Sequence, residues 1–76
     1  SPFDVLSERE MQTTLMIVGC NKVQEISDKL CVSPKTVNSY RYRIFEKLGI
    51  DGDVELTILA MKHGILDPQV TMQAPN

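Results

Sequence analysis

The sequence has too few cysteine and histidine residues to build a zinc site or a disulfide-stapled fold. It contains two cysteines, Cys20 and Cys31, and a single histidine, His63. The cysteines lack CxxC spacing, and a tetrahedral zinc site needs four ligands. We therefore expect no metal and no cofactor. We expect both thiols to be reduced and structural, as in a cytoplasmic protein.

The sequence also lacks the signals of an enzyme. It has no glycine-rich loop that could cradle a phosphate, and no paired nucleophile and base. His63 falls in the last turn of a predicted helix, where a cation suits the helix dipole. We therefore expect that the protein is not an enzyme and has no catalytic residues.

Long apolar runs are absent as well. No run approaches the roughly eighteen residues of a membrane-spanning helix, and no signal-peptide pattern is present, so we expect no membrane partner. The chain starts at Ser1 rather than at a methionine, so we expect a fragment or a processed form. Its 76 residues suffice for one small domain of a few helices.

Basic residues are concentrated in one stretch of an otherwise acidic chain. The formal net charge is −2, which argues weakly against binding nucleic acid through bulk charge. Between residues 33 and 49, however, Glu46 is the one acid, and four cations oppose it: Lys35, Arg41, Arg43 and Lys47. The distribution of charge therefore indicates a locally basic surface.

The same stretch has the features of one complete helix, the basic helix. Ser33 can cap the first free N–H groups, Pro34 suits the first helical position, and Gly49 suits a left-handed C-terminus. The apolar residues form one face with a 3.6-residue period: Val37, Tyr40, Ile44, Phe45 and Leu48. The opposite face is polar: Lys35, Asn38, Ser39, Tyr42, Arg43 and Glu46. Such a helix suits the major groove of DNA, although many surface helices simply have a solvated polar face.

A first helix is predicted near the start of the chain. Ser7 and Glu10 have capping-box spacing, so this helix should begin at about Glu8 and end at Gly19. Its main buried stripe is predicted to be Met11, Leu15 and Val18, widened by Met16 and Ile17.

A second helix, from about Lys22 to Leu30 with Asn21 as its cap, has helix-turn-helix spacing with the basic helix. When Val23 is counted as the first position of such a unit, the small residue Ser27 falls at the fifth. The apolar positions 4, 8, 10, 15 and 18 are Ile26, Leu30, Val32, Val37 and Tyr40. The turn residue is Cys31, where many such units carry glycine. This spacing favours DNA binding over a solvated surface helix.

A fourth helix is predicted from Val54 to about His63, with Asp53 as its cap. It has apolar stripes on opposite sides, one with Val54, Ile58, Met61 and Ile65 and the other with Leu56, Leu59 and Ala60. A terminal helix needs one stripe for its own core. The first helix or the tail could cover the other, but we favour a subunit interface, and the sequence leaves open which stripe it is. The candidate contacts are Thr57, Ile58 and Met61.

Five short stretches span nearly all of the chain from Leu6 to Leu66: Leu6-Ser7-x-Arg9-Glu10, Ile26-Ser27-x-x-Leu30, Ser33-Pro34-Lys35-Thr36-Val37, Lys47-Leu48-Gly49-Ile50 and Gly64-Ile65. Together they resemble a LuxR/GerE-type helix-turn-helix domain. The resemblance implies an all-α, four-helix DNA-binding domain, here residues 1–66. Residues 67–76, with two prolines, are predicted to be a flexible tail.

The basic helix resembles most closely the output domains of two-component response regulators. In that group the domain follows an N-terminal receiver domain, binds palindromic double-stranded DNA and controls transcription. We expect the same function here, with a homodimer forming on DNA. The alternative is a helix-turn-helix module that binds protein without reading DNA, but such a module would present an apolar or acidic face.

The resemblance also assigns roles to single residues. The groove-facing positions of the family fall on Asn38, Ser39 and Tyr42, which the periodicity also puts on the polar face, and asparagine can pair with adenine through two hydrogen bonds. Contacts to the DNA backbone are expected from Lys22, Lys35, Thr36, Arg41 and Arg43, helped by free N–H groups at residues 35 and 36. Many relatives have a small aliphatic residue at the position of Arg41, so its guanidinium must reach a phosphate or pair with an acid.

Overall fold

The computed structural model describes residues 1–65. A short 3-10 helix over Pro2–Val5 precedes four α-helices: α1 (Glu8–Val18), α2 (Val23–Leu30), α3 (Pro34–Leu48) and α4 (Asp53–Lys62). The predicted all-α architecture of four helices is confirmed. None of the helices within residues 1–65 has the length and apolar character needed to cross a membrane. The predicted tail at 67–76 lies outside the described residues.

Helix α1 begins as its sequence predicts, but it buries a different stripe. The Ser7 hydroxyl accepts from the Glu10 N–H at 3.2 Å, and the Glu10 carboxylate accepts from the Ser7 N–H at 2.9 Å, so the capping box is confirmed. The prediction that Leu15 is buried is wrong, because its exposed fraction is 47%. The buried positions instead follow the steps of a helical face: Glu10, Thr13, Thr14, Ile17 and Val18.

Two threonines occupy the centre of that face. Thr13 and Thr14 are both fully buried, and their hydroxyls donate to the carbonyls of Arg9 and Glu10 at 2.9 Å. Bonding back to the preceding turn satisfies each hydroxyl within the helix itself. The face is therefore dry although it is not apolar, and an apolar pattern alone could not locate it.

Helix α2 is capped differently from the prediction. The Glu25 carboxylate accepts from the Lys22 N–H at 2.8 Å and closes the start of the helix. Asn21, the predicted cap, instead donates from Nδ2 to the Met16 carbonyl at 3.1 Å. Asn21 therefore ties α2 back to the end of α1, and the helix starts at Val23.

Three residues, Cys31 to Ser33, connect α2 to α3. Cys31 adopts the left-handed conformation, with φ 58° and ψ 41°, which is the conformation that favours the glycine found in many such turns. The Val32 N–H donates to the Ser27 carbonyl at 3.0 Å, and Ser27 is 2% exposed. The small side chain at Ser27 thus lies under the turn, as the helix-turn-helix spacing predicts. Both Cys31 and Cys20 are free and exposed.

Helix α3 is the central helix of the domain. Ser33 caps it by accepting from the Thr36 N–H at 3.2 Å, and Gly49 ends it at φ 69°, so both predicted ends are confirmed. Its inner face is packed by α1, α2 and the 3-10 helix. Val37 and Ile44 on that face are fully buried, which fixes the rotation of α3 about its own axis.

The structure shows which of the two apolar stripes of α4 faces the core. Leu56 and Ala60 are fully buried, whereas Val54 is 73% exposed and Ile58 is 49% exposed. The prediction that Asp53 caps this helix is wrong. Gly52 is the cap residue, and Asp53 is the first helical residue. Its carboxylate is therefore free to contact another element.

Truncation of Val37 should destabilise the domain without touching its outer surface. We expect Val37→Ala to lower the free energy of unfolding by about 1–2 kcal/mol, because it removes two methyl groups from a filled joint. Val54→Ala is the matched control, since Val54 is 73% exposed; it should cost less than about 0.5 kcal/mol. Urea unfolding of the three proteins measures both effects. Equal stability of the two variants would contradict the placement of Val37.

Candidate nucleic-acid interface

The outward face of α3 is polar and open to solvent. Tyr42 is 69% exposed, and Lys35, Ser39, Arg43 and Glu46 are also exposed. Asn38 is half-buried at the edge of the same face. The structure therefore puts the three predicted base-reading residues on one side of one helix, opposite the buried Val37 and Ile44.

The start of α3 offers fewer free N–H groups than predicted. The Thr36 N–H is not free, because the Ser33 hydroxyl accepts from it at 3.2 Å. The Thr36 hydroxyl lies 3.0 Å from the same Ser33 hydroxyl, and the Ser39 hydroxyl donates to the Lys35 carbonyl at 3.2 Å. The Lys35 N–H forms no hydrogen bond within the described part of the chain, so it remains available to an anion.

Arg41 pairs with an acid, one of the two alternatives open to it. Its Nη2 lies 2.8 Å from Asp53 Oδ2, and its Nη1 lies 2.9 Å from Asn38 Oδ1. The guanidinium carbon also lies 5.7 Å from the centre of the Phe45 ring. Helix packing, hydrogen bonding and charge therefore hold this side chain at the start of α4.

Three other cations predicted at the interface are not neutralised by acids. Within residues 1–65, Lys22, Lys35 and Arg43 form no salt bridge. Lys22 and Arg41 line one hollow of about 350 Å³ beside the start of α2, so Lys22 lies close to α3 although it belongs to another element. The structure thus places a cation before α2 and Arg41 of α3 in the wall of the same hollow.

One ion pair could not be predicted from the sequence. Lys47 Nζ lies 2.7 Å from Glu10 Oε1, joining the end of α3 to the start of α1. The Lys47 ammonium, followed by the Ser7 N–H, lowers the pKa of the Glu10 carboxyl below its ordinary value, and burial opposes them. The side chain of Glu10 is 6% exposed, so this carboxylate needs the partner. A contact between residues 37 positions apart has no local signal.

The predicted interface contacts on α4 differ in their exposure to solvent. Ile58 is exposed, while Thr57 and Met61 are half-buried. Ile58 lines a hollow of about 220 Å³ with Ile50 and Leu59, and Glu55 and Lys62 also line it. Within the described residues, no group of three His, Cys, Asp or Glu side chains could hold a metal ion.

Comparison with known proteins decides the family. A family model described as "Bacterial regulatory proteins, luxR family" matches residues 4–60, which include α1, α2 and α3 in full. The chain belongs to the luxR family of bacterial regulatory proteins. It is a helix-turn-helix domain of a kind that binds DNA and regulates transcription. The members of this family are regulators rather than enzymes.

Individual relatives show which members of the luxR family this domain is similar to. It is 76% identical over 67 residues to the response regulator GacA of Pseudomonas protegens and 72% identical to that of Pseudomonas aeruginosa. It is 62% identical over 69 residues to the response regulator UvrY of Escherichia coli. These alignments cover 88% to 91% of the chain. The luxR-family domain spans about a third of the length of each curated relative.

The ion pair between Glu10 and Lys47 should make stability depend on pH. Because the pKa of Glu10 is lowered in the folded state, the pair stabilises the fold above the ordinary value of 4.5 and is lost as the pH falls through the folded pKa. Lys47→Met should cost about 1 kcal/mol near neutral pH and much less at a pH well below 4.5. Urea unfolding at both pH values measures this.

Lys62→Met is the matched control, because Lys62 is exposed and forms no ion pair within residues 1–65. Its effect should be small and equal at the two pH values. A loss for Lys47→Met that stayed constant with pH would count against the pair.

Proposed function

We propose that this chain binds double-stranded DNA in a sequence-specific way, by placing α3 in the major groove, as the output domain of a two-component response regulator. The observation that carries the proposal is the two-sided character of α3. Its inner side is fixed by the fully buried Val37 and Ile44, and its outer side is polar, exposed and basic. A rigidly held helix with such a face fits the major groove in width and in chemistry.

The proposed base-reading residues are Asn38, Ser39 and Tyr42. They occupy one side of the helix, and Tyr42 has 69% of its surface exposed. Tyrosine can contact a thymine methyl group or a phosphate, and serine can bond to most base edges. Asn38 is therefore the residue with the greatest capacity to discriminate between bases.

The proposed contacts to the DNA backbone come from Lys22, Lys35, Thr36 and Arg43. The three cations are exposed and form no ion pair among residues 1–65, so phosphates could bind them without breaking a contact of the protein. The free N–H of Lys35 at the positive end of α3 adds a further donor. The sequence also predicts a contact between Arg41 and the DNA backbone. Arg41 could bind a phosphate only through the N–H groups that its hydrogen bonds to Asp53 and Asn38 leave free.

We further propose that the full-length protein has an N-terminal receiver domain and acts in the cytoplasm, where the DNA is. The relatives are named response regulators, and each is about three times as long as the aligned region. A receiver domain would account for part of the additional length. Phosphorylation there would control the availability or pairing of the domain described here.

The outer stripe of α4 is the proposed contact between two copies on DNA. It offers Ile58 with Thr57 and Met61 at its sides, and Glu55 and Lys62 line the hollow next to Ile58. In a two-fold contact, Glu55 of each copy could face Lys62 of the other. The stripe is short, so the free domain should be mainly monomeric, and adjacent half-sites on a palindrome would raise the effective concentration of the second copy.

The proposed function can be tested by selecting bound duplexes from a random pool and measuring their affinity as a function of salt. We expect a palindromic consensus and a steep loss of affinity with salt, reflecting about four to six phosphate contacts per domain. Arg43→Ala should weaken binding to selected and scrambled duplexes alike and reduce the salt slope by about one. Arg9→Ala, on α1, is the control and should change neither, because Arg9 is exposed and belongs to no proposed contact with DNA or with a second copy. Selection of no consensus would overturn the proposal, and a changed base preference in Arg43→Ala would reassign that residue.

The proposed dimer contact has its own test. Ile58→Asp should leave half-site binding intact and abolish cooperative binding to the palindrome, because a charge cannot be buried in the contact without a partner. Leu15→Asp is a matched control, since Leu15 is 47% exposed and Ile58 is 49% exposed, and it should remain cooperative. Gel-shift titrations on half-site and full-site duplexes distinguish these outcomes. Cooperative binding by folded Ile58→Asp would show that α4 is not the contact.

A further inference from the structure

We infer that Arg41 and Asp53 are positioning residues that hold the Asn38 amide in one orientation for reading a base. This inference rests on the proposed function and concerns residues that need not touch DNA themselves. It begins from a continuous chain of contacts that runs from the first residue of α4, through Arg41, to the half-buried edge of α3's outer face.

The chain of contacts is held at three points. Arg41 donates from Nη2 to Asp53 Oδ2 at 2.8 Å and from Nη1 to Asn38 Oδ1 at 2.9 Å. Its guanidinium carbon lies 5.7 Å from the centre of the Phe45 ring, and Phe45 is 8% exposed. The side chain of Arg41 is 25% exposed. A charged hydrogen bond on one side and a ring in the core on another leave the guanidinium little freedom to move.

This contact fixes the orientation of the Asn38 amide. A guanidinium has donors and no acceptor, so it can bond to the oxygen of Asn38 and not to the nitrogen. The alternative amide orientation would put two donors against each other. Asn38 can therefore offer a base the two N–H groups of Nδ2 and the second lone pair of Oδ1.

An amide held in this orientation still offers a base both kinds of group. Oδ1 has two lone pairs and Arg41 occupies one of them. The donor and acceptor that read adenine through N7 and N6–H₂ therefore remain available. The contact removes the flipped orientation, in which the oxygen and the nitrogen of the amide exchange places, so we expect it to sharpen the choice between bases.

Asp53 gives this arrangement its second role. It is the first residue of α4, the helix that bears the proposed contact between copies. The base-reading amide is thus linked through two hydrogen bonds to that helix rather than to α3 alone. Loss of the Asp53 carboxylate should free Arg41 to turn toward a phosphate, and the Asn38 amide could then take either orientation.

The experiment measures base preference at a single position. Asn38→Ala first identifies the base pair that Asn38 reads, as the position where the selected consensus is relaxed. Duplexes with each of the four bases at that position are then titrated with the unaltered chain, Asp53→Asn and Arg41→Met. We expect the unaltered chain to prefer one base over the next best by about tenfold. In both variants the ratio should fall to near parity, while preferences at the other positions are kept.

Asp51→Asn is the matched control. Asp51 undergoes the same chemical change two positions away, is exposed and does not contact Arg41, so its variant should keep the base preference. Circular dichroism melting of all variants establishes that they are folded. If Asp53→Asn failed to fold, Arg41→Met would still carry the test, because methionine keeps an apolar stem and has no donor for Asn38.

The outcomes separate the inference from the proposed function. A chain that selects no consensus contradicts both. A chain that selects a consensus, but keeps its base preference at the position of Asn38 in folded Asp53→Asn and Arg41→Met, overturns the inference and leaves the proposed function intact. A uniform loss of affinity in Arg41→Met with a smaller salt slope would make Arg41 a phosphate contact and would also overturn it.

Discussion

The burial of one side of α3 is the constraint on which the rest of the structure depends. Val37 and Ile44 are fully buried and lie seven residues apart, which is two helical turns, so together they fix both the tilt and the rotation of the helix. Every polar residue on the opposite side takes its direction from that rotation. A domain of this size has few apolar contacts to spare, and it uses three elements, α1, α2 and the 3-10 helix, to pack the same helix.

Polar residues complete the packing where apolar ones are lacking. Thr13 and Thr14 are buried in α1 because their hydroxyls bond to the preceding turn, which lets a helix pack closely on both α3 and α4. Glu10 has two roles. It closes the capping box at the start of α1, and it accepts from Lys47 at the end of α3. A single carboxylate thus stabilises one helix end and anchors the far end of another, with its pKa lowered by both contacts.

Different contacts fix the start and the middle of α3's outer face. At its start, Ser33 and Thr36 satisfy one another and leave the Lys35 N–H free. In its middle, Arg41 lies between Asn38 and Asp53, so a residue of α4 takes part in the surface of α3. Charge is distributed accordingly. Among the cations of α3, Arg41 and Lys47 pair with acids of α4 and α1, whereas Lys35 and Arg43 are exposed and have no acidic partner among residues 1–65. The net charge of −2 therefore says little about the potential that a ligand of α3 would meet.

The sequence by itself determined those features that depend on neighbouring residues. These were the capping box at Ser7, both ends of α3, the helix-turn-helix spacing around Ser27, and the polar identity of α3's outer face, because caps and helical periodicity act within a few residues. Tertiary structure decided the remainder. Leu15 is exposed while two threonines are buried, because the position of α3 and α4 and not apolarity selects the face of α1. Leu56 and Ala60 face the core because α1 covers that side of α4 and leaves Ile58 outside. The partners of Glu10 and Arg41 are 37 and 12 positions away, and only the folded chain brings such distant charges within hydrogen-bond distance.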